Sequence, residues 1–301
     1  MVGRALITGV QGFTGPYLAA ELDRAGYEVF GLTHAAPQSV GGAVRAMHTC
    51  DLRDSVGLVR VIEDIRPEVV VHLAAIAYVA HGDMEALYQT NLLGSRNLLE
   101  ALSQTGVTPR ATLLASSAYV YGRSAHVILD ETTPPAPAND YAVSKLAMEY
   151  VAKLYGERLP IIIARTFNYT GVNQPESFLL PKLIGHVRRH ASPIELGNLD
   201  IVRDFSDVRT VVQYYRALLE CPNAPGEIYN VCSGESYALE DVLEIVRSLS
   251  GRDLEVRSDA ALVRADEVKT LVGSRAKLEA AVGRVPDIPL VETLRWMLEA
   301  P

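Results

Sequence analysis

Thr8-Gly-Val-Gln-Gly-Phe-Thr-Gly15 joins the apolar run Ala5–Thr8 to a helical pattern over Phe13–Ala25. Its spacing is G-x-x-G-x-x-G. Gly9 suits a tight turn, Gly12 lets backbone approach a pyrophosphate, and Gly15 lets helix and strand touch. An anion then rests on the helix N-terminus, where unsatisfied N–H groups and the dipole favour negative charge. A tight turn with no ligand uses the same glycines. The strand before and the helix after favour a dinucleotide cofactor.

The same alternation runs outward from this segment. Val29–Leu32, Val69–Leu73, Thr112–Ser116 and Ile161–Arg165 are short, continuously apolar runs, the pattern of strands buried on both faces. Between them, Ser55–Ile65, Met84–Thr105 and Asn139–Gly156 carry helical spacing. In the first helix Leu18, Leu22 and Ala25 recur at helical steps and Gly26 marks its end. This order predicts an α/β fold, a Rossmann-type doubly wound parallel sheet with a smaller α/β C-terminal part. The expected boundaries are 1–170 for the dinucleotide-binding domain and 171–301 for a substrate-binding part, with 201–232 packing back onto the first. In the second half, helices are expected at Pro181–His190, Val208–Glu220, Val242–Leu249 and Leu290–Leu298, and a strand at Ile228–Val231.

Composition sets outer limits. Of 301 residues 49% are apolar and 21% charged, which excludes wholesale disorder. A net charge of −8 argues against a nucleic-acid partner, so an anionic ligand needs a local site. Cys50, Cys221 and Cys232 are too few and too scattered for a disulfide framework or a zinc site. His186 and His190 share a helical face but lack the Glu of H-E-x-x-H and a third ligand, so no metal is expected. No signal peptide is visible and the run Val69–Ala80 is too short to span a bilayer, so a cytoplasmic protein is expected.

An acid at the end of the second strand would bind the ribose hydroxyls of NAD and repel a 2′-phosphate. Thr33 and His34 stand there instead, a hydroxyl donor and a partial cation, so NADP(H) is expected over NAD(H). Asp51 follows the third strand and suits an adenine amino group, though a turn or cap role explains it more simply. Tyr141 and Lys145 lie four residues apart near the start of a helix, on one face. The ammonium is expected to lower the phenol pKa toward the working pH. Ser117 ends the fifth strand, at the carboxyl edge where open α/β sheets bind ligands. With the glycine loop at the right order and spacing, Ser117, Tyr141 and Lys145 form the expected catalytic set.

These motifs resemble the extended short-chain dehydrogenase/reductase family in its nucleotide-sugar branch. The match includes Thr8-Gly9-x-x-Gly12-Phe13-x-Gly15, Asp51-Leu52, His72-Leu-Ala-Ala75, Asn91, Ser117-x-x-Val-Tyr-Gly122, Tyr141-x-x-x-Lys145, Arg165-Thr-Phe-Asn168, Arg203-Asp-Phe205 and Arg264-x-x-Glu267. It covers essentially the whole chain; Gly197–Phe205 and Tyr229–Gly234 are most similar to GDP-4-keto-6-deoxy-D-mannose reductases. The chain departs from the family at Pro16, where Lys or His is common, and at Val172, where Pro is usual.

The resemblance implies cofactor contacts at Gly9, Gly12, Phe13, Thr14, Gly15, Thr33, His34, Asp51, Leu52, Leu73, Ala74, Ala75, Asn91, Tyr141, Lys145 and Phe167. It implies substrate contacts at Ser117, Asn168, Phe178, Lys182, Arg203, Arg264 and Glu267. The two arginines would grip a diphosphate and Glu267 a guanine amino edge. A surface salt bridge is the simpler reading of Glu267 taken alone. Dehydratase relatives carry Asp-Glu directly after the Ser/Thr, and epimerase-reductases a Cys; here Ala118 and Tyr119 follow. Hydride transfer with one proton remains, the minimum for reducing a C4 ketone. The expected reaction converts GDP-4-keto-6-deoxy-D-mannose to GDP-D-rhamnose. A nucleotide-sugar 4-epimerase or a reductase giving the 6-deoxy-talose epimer are the alternatives. A homodimer through Met84–Thr105 and Asn139–Gly156 is the expected assembly.

Overall fold

The computed structural model describes residues 3–36, 41–77, 83–263 and 267–301. Seven parallel strands form the main sheet: β1 (Gly3–Thr8), β2 (Tyr27–Thr33), β3 (Val44–Thr49), β4 (Val69–His72), β5 (Ala111–Ser117), β6 (Ile161–Thr166) and a later strand at Ile228–Val231. All four residues of β4 and all six of β6 are buried. That is why these strands read as apolar runs with polar residues only at their carboxyl ends, since helices cover both faces.

On one face lie α1 (Thr14–Arg24) and a helix at Val208–Glu220, whose Val208, Val211, Tyr215 and Leu218 pack with Ile7, Leu18 and Leu22. On the other lie α2 (Ser55–Ile65), α3 (Met84–Tyr88), α4 (Ser95–Gln104) and α5 (Asp140–Lys153). Leu58, Ile62, Leu98, Leu102, Met148 and Ala152 close that second core over Leu6, Val70 and Leu114.

The helix expected over Met84–Thr105 is interrupted. Between α3 and α4, Gln89–Gly94 form a π-helical turn, which brings the buried Asn91 to Ile76 and Ser144. Such π-bulges insert one residue into a helix and recur at functional sites. The apolar period runs straight through the segment, so the sequence pattern does not show it.

The remaining elements are β7 (Asn168–Thr170), α6 (Leu179–Arg189), β8 (Ile194–Leu196), β9 (Val202–Arg203), β10 (Phe205–Asp207), α7 (Val208–Glu220), β11 (Ile228–Val231), β12 (Tyr237–Ala238), α8 (Leu239–Ser250), β13 (Val256–Ser258), β14 (Thr270–Leu271), α9 (Ala276–Val282) and α10 (Leu290–Glu299). α7 and β11 belong to the main sheet layer. α6, α8 and α10 build a separate core through Leu183, Ile184, Val242, Val246 and Leu294.

In the strand order β11-β6-β5-β4-β1-β2-β3 the direction of progression reverses between β1 and β4. Thr8 and His72 pair at that switch point. Ligands of open α/β sheets bind outside the carboxyl ends of strands at such a reversal.

Candidate active site

The loop after β1 is shaped by contacts a side chain would block. Gly9 has φ +69°, and a Cβ there would lie 2.7 Å from the Ala74 backbone. A Cβ on Gly15 would lie 2.0 Å from the Val10 carbonyl oxygen, so this glycine is what lets α1 start against the strand. At Gly12 the nearest atom to a Cβ is the Gly9 carbonyl oxygen at 3.2 Å, a milder restriction that leaves the loop surface bare. Phe13 is the N-cap of α1 and makes no side-chain cap hydrogen bond, so the helix begins on open backbone. An 11-residue helix with that start and a bare glycine beside it fits a pyrophosphate. Phe13 stacks on Tyr169 at 5.9 Å, and the hydroxyls of Thr14 and Tyr169 lie 2.8 Å apart.

At the adenosine end, the Thr33 hydroxyl donates to the Gln11 side-chain carbonyl. Gln11 is thus the partner of the Thr33 hydroxyl. His34 is exposed beside Asp51. Asp51 is held by a side chain the sequence reading passed over, since Arg53 donates from Nε and Nη2 to both carboxylate oxygens at 2.7–3.1 Å. That grip holds the Asp51 carboxyl below its ordinary pKa. Leu52 is buried beneath Gly94, where a Cβ would meet it at 2.8 Å.

Between cradle and catalytic helix runs a buried polar relay. The Ala74 N–H donates to Thr8 Oγ1, which lies 2.7 Å from His72 Nδ1. His72 Nε2 lies 2.8 Å from Ser95 Oγ, and Ser95 donates to the Asn91 carbonyl. Ser95 has spent its proton, so the neighbours assign Nε2–H to His72 and leave Nδ1 to accept from Thr8. Burial, with the Lys145 charge as a smaller cause, pushes the His72 pKa down to about 3. The imidazole is neutral. Asn91 continues the chain by donating to Ser144 Oγ, which donates to the Tyr141 carbonyl. Leu73, Ala74 and Ala75 lie on the segment this relay holds beside Gly9.

α5 is capped by Asn139, whose side chain accepts from the Ala142 N–H. Its first turn presents Tyr141 near Ser117, whose hydroxyl favours the phenolate, with Tyr119 edge-on at 6.3 Å. One turn on, Lys145 donates from Nζ to the Ala115 carbonyl at 2.8 Å. Ser117, Tyr141 and Lys145 are thus brought together, all buried.

The acid–base expectation needs correction. Burial raises the Tyr141 pKa well above the ordinary phenol range; Tyr169 and Tyr119 push the same way and the Ser117 bond only partly opposes them. Lys145 does not lower it, because its ammonium is directed at a backbone carbonyl and is itself brought down to about 8 by burial, against a smaller upward pull from Glu149. The phenol remains protonated.

The resemblance implies a diphosphate contact for Arg203 and a guanine contact for Glu267. The structure pairs them with each other. Arg203 is buried and also donates to the carbonyls of Val202 and Lys269. Asn168 Nδ2 lies 3.5 Å from the Asp204 carbonyl. Asp204 is fully buried and accepts from Ser233 N and Oγ and from Gly234 N at 2.7–2.9 Å. The motif Arg203-Asp-Phe205 was the signal for it, read for its arginine alone. The Phe167 side chain is buried against Tyr121 and Gly273, which leaves only its backbone for a cofactor. Phe178 caps α6, and Lys182 donates to the Glu195 carbonyl. Arg264 lies outside the described residues. Among the described residues no His/Cys/Asp/Glu cluster suits a metal and no helix is long and apolar enough to cross a membrane.

Comparison with known proteins places this geometry. The pattern of the GDP-mannose 4,6 dehydratase family matches residues 6–297. The chain is 34% identical to GDP-6-deoxy-D-mannose reductase of Pseudomonas aeruginosa, over 99% of this chain and 97% of that one. It is 30% identical to GDP-6-deoxy-D-talose 4-dehydrogenase of Aggregatibacter actinomycetemcomitans, over 93% and 91%. A Burkholderia cenocepacia structure described provisionally as an epimerase is 50% identical with TM-score 0.92, covering 99% and 97%. The structure of RMD from Pseudomonas aeruginosa complexed with NADPH is 33% identical with TM-score 0.84, covering 99% and 98%. With the glycine cradle and the Ser–Tyr–Lys set in place, the chain belongs to the GDP-mannose 4,6-dehydratase family, within the extended short-chain dehydrogenases/reductases, and is a nicotinamide-dependent oxidoreductase.

Proposed function

We propose that the protein reduces the C4 ketone of GDP-4-keto-6-deoxy-D-mannose with NADPH, giving GDP-D-rhamnose. The two positions after Ser117 carry this reading. Ala118 is fully buried among Val120, Tyr121 and Leu129, and Tyr119 places a phenol edge-on to Tyr141. Expelling water from a sugar calls for a carboxyl acid–base group at these positions, and neither the Ala118 methyl nor the Tyr119 side chain is a carboxyl.

The cofactor supplies hydride when bound. Ser117 orients the carbonyl oxygen, and Tyr141 donates a proton to it as charge develops. A phenol kept protonated by burial is already in the form reduction requires. Lys145 holds positive charge beside the reacting centre below its pKa of about 8.

NADPH is favoured over NADH because no acid ends β2, where Thr33 and His34 stand. The dinucleotide is assigned to residues 1–170 and the sugar nucleotide to 171–301. Arg203 and Asn168 are proposed for the diphosphate on the strength of their motifs, with Arg203 held by Glu267. A homodimer is inferred through Met84–Thr105 and Asn139–Gly156, where Val143, Tyr150 and Leu154 are exposed.

The 50% identical neighbour described as an epimerase favours a second reading, 4-epimerisation with the cofactor kept oxidised. Mixing protein, NADPH and GDP-4-keto-6-deoxy-D-mannose separates the two. Stoichiometric NADPH oxidation with a rhamnose product by NMR supports reduction. A talose product reverses the stereochemistry, and a changed sugar without NADPH loss means epimerisation.

A further inference from the structure

Tyr141, Lys145 and Glu149 stand at i, i+4 and i+8 on α5, and so share one face. Their partners are three consecutive residues at the end of β5. Tyr141 faces Ser117, Lys145 donates to the Ala115 carbonyl, and Glu149 accepts from Ser116 Oγ at 2.6 Å. Glu149 is buried and held by Arg165 on β6, from Nε at 3.0 Å and Nη2 at 2.7 Å. The Arg165 guanidinium in turn lies over the Tyr121 ring at 4.8 Å. Apolar packing alone, here Met148 and Ala152 against Leu114, tolerates small slips of helix over strand. A buried charged pair costs desolvation and is at its most useful where it specifies register.

We propose that Glu149, anchored by Arg165 and tied to Ser116, is a positioning residue that sets the register of α5 on β5 and thereby places Tyr141 against Ser117 and Lys145 against Ala115. This deepens the proposed function and rests on it. Ser116 and Glu149 touch neither cofactor nor substrate in this assignment; they act through their neighbours.

The charge on Glu149 acts separately from the tie. Glu149, from the same helix, favours the Lys145 ammonium, and His72 faces it from β4 as a neutral ring. Removing the tie therefore misplaces the catalytic pair, whereas removing the charge also moves its titration.

Ser116→Ala, Ser116→Thr and Glu149→Gln test this in the intact enzyme, with NADPH oxidation by the keto sugar, NADPH binding by quenching of Trp296, and thermal unfolding as readouts. The wild-type reaction controls for the proposed function, and binding and unfolding are read independently of it. Ser116→Ala is expected to lower kcat about tenfold, with KM and the NADPH Kd within about twofold, since small misplacements of reacting groups are costly. Ser116→Thr restores the hydroxyl and most of kcat. Glu149→Gln lowers kcat and shifts the alkaline limb of the pH profile to lower pH. If Glu149→Gln fails to fold because Arg165 is left unpaired, the serine variants decide. A Ser116→Ala enzyme with kcat within twofold of wild type overturns the proposal. So does a loss of kcat matched by equal losses in NADPH binding and folded protein.

Discussion

Acid should destabilise this protein at His72. His72 is buried, neutral and bonded on both ring nitrogens, with its folded pKa pushed down to about 3 from the ordinary 6.5. Between those two values the unfolded chain binds a proton there and the folded chain does not, so stability rises with pH across that window and is lost as pH falls. From pH 7 to pH 5 the difference in proton binding is worth about 2 kcal/mol, with the full effect developing only toward pH 3. Urea unfolding at pH 7 and pH 5 measures it, followed by Trp296 fluorescence and far-UV circular dichroism to establish coincident transitions. Gln at position 72 keeps a donor and an acceptor but cannot titrate. His72→Gln should start less stable at pH 7, because its geometry is not that of imidazole, and then lose about 2 kcal/mol less than wild type on going to pH 5. Equal losses in the two proteins would mean that the Thr8–His72–Ser95 relay accepts a proton without cost, and the neutral assignment would be wrong.

Tyr141→Phe should lower kcat at least about a hundredfold while NADPH still quenches Trp296, because only the proton donor is gone. The chain's one tryptophan lies edge-on to Tyr17 at 6.0 Å, and Tyr17 lies 5.8 Å from Phe13 in the cradle, so its emission should fall on NADPH binding. Gly15→Ala should abolish cofactor binding or folding, since its Cβ would overlap Val10, whereas Gly42→Ala, with open space around it, should be neutral in the same thermal and quenching assays. In wild type, kcat should fall as pH rises through about 8, where the Lys145 ammonium loses its proton; a flat profile to pH 9.5 would remove the need for its charge.

What the sequence disclosed was local. The strand runs were readable because β4 and β6 are buried on both faces and so carry polar residues, His72, Arg165 and Thr166, only at their carboxyl ends. The glycine loop and the Tyr141–Lys145 spacing lie within single turns, where residue type and periodicity suffice. The pairing of Arg203 with Glu267 spans 64 residues and that of Glu149 with Arg165 joins a helix to a strand; nothing in composition brings those partners together. Arg165 was read only as part of a motif. The Tyr141 pKa is not legible from helical spacing because burial, a property of the folded chain, is its largest cause.

The π-helical turn at Gln89–Gly94 also bears on how this fold tolerates editing. A regular helix advances about 100° per residue, so one surplus residue rotates everything before it by about that angle relative to everything after. Deleting a residue there would yield a smoother helix with better intrinsic hydrogen bonding, the outcome an idealising redesign would choose. It would also swing Asn91 about a quarter-turn away from Ile76 and Ser144, uncoupling the glycine loop from the catalytic helix. Length variation in this stretch should therefore be selected against even where every substituted residue is helix-compatible, and the irregular turn, rather than any one side chain in it, is the heritable unit.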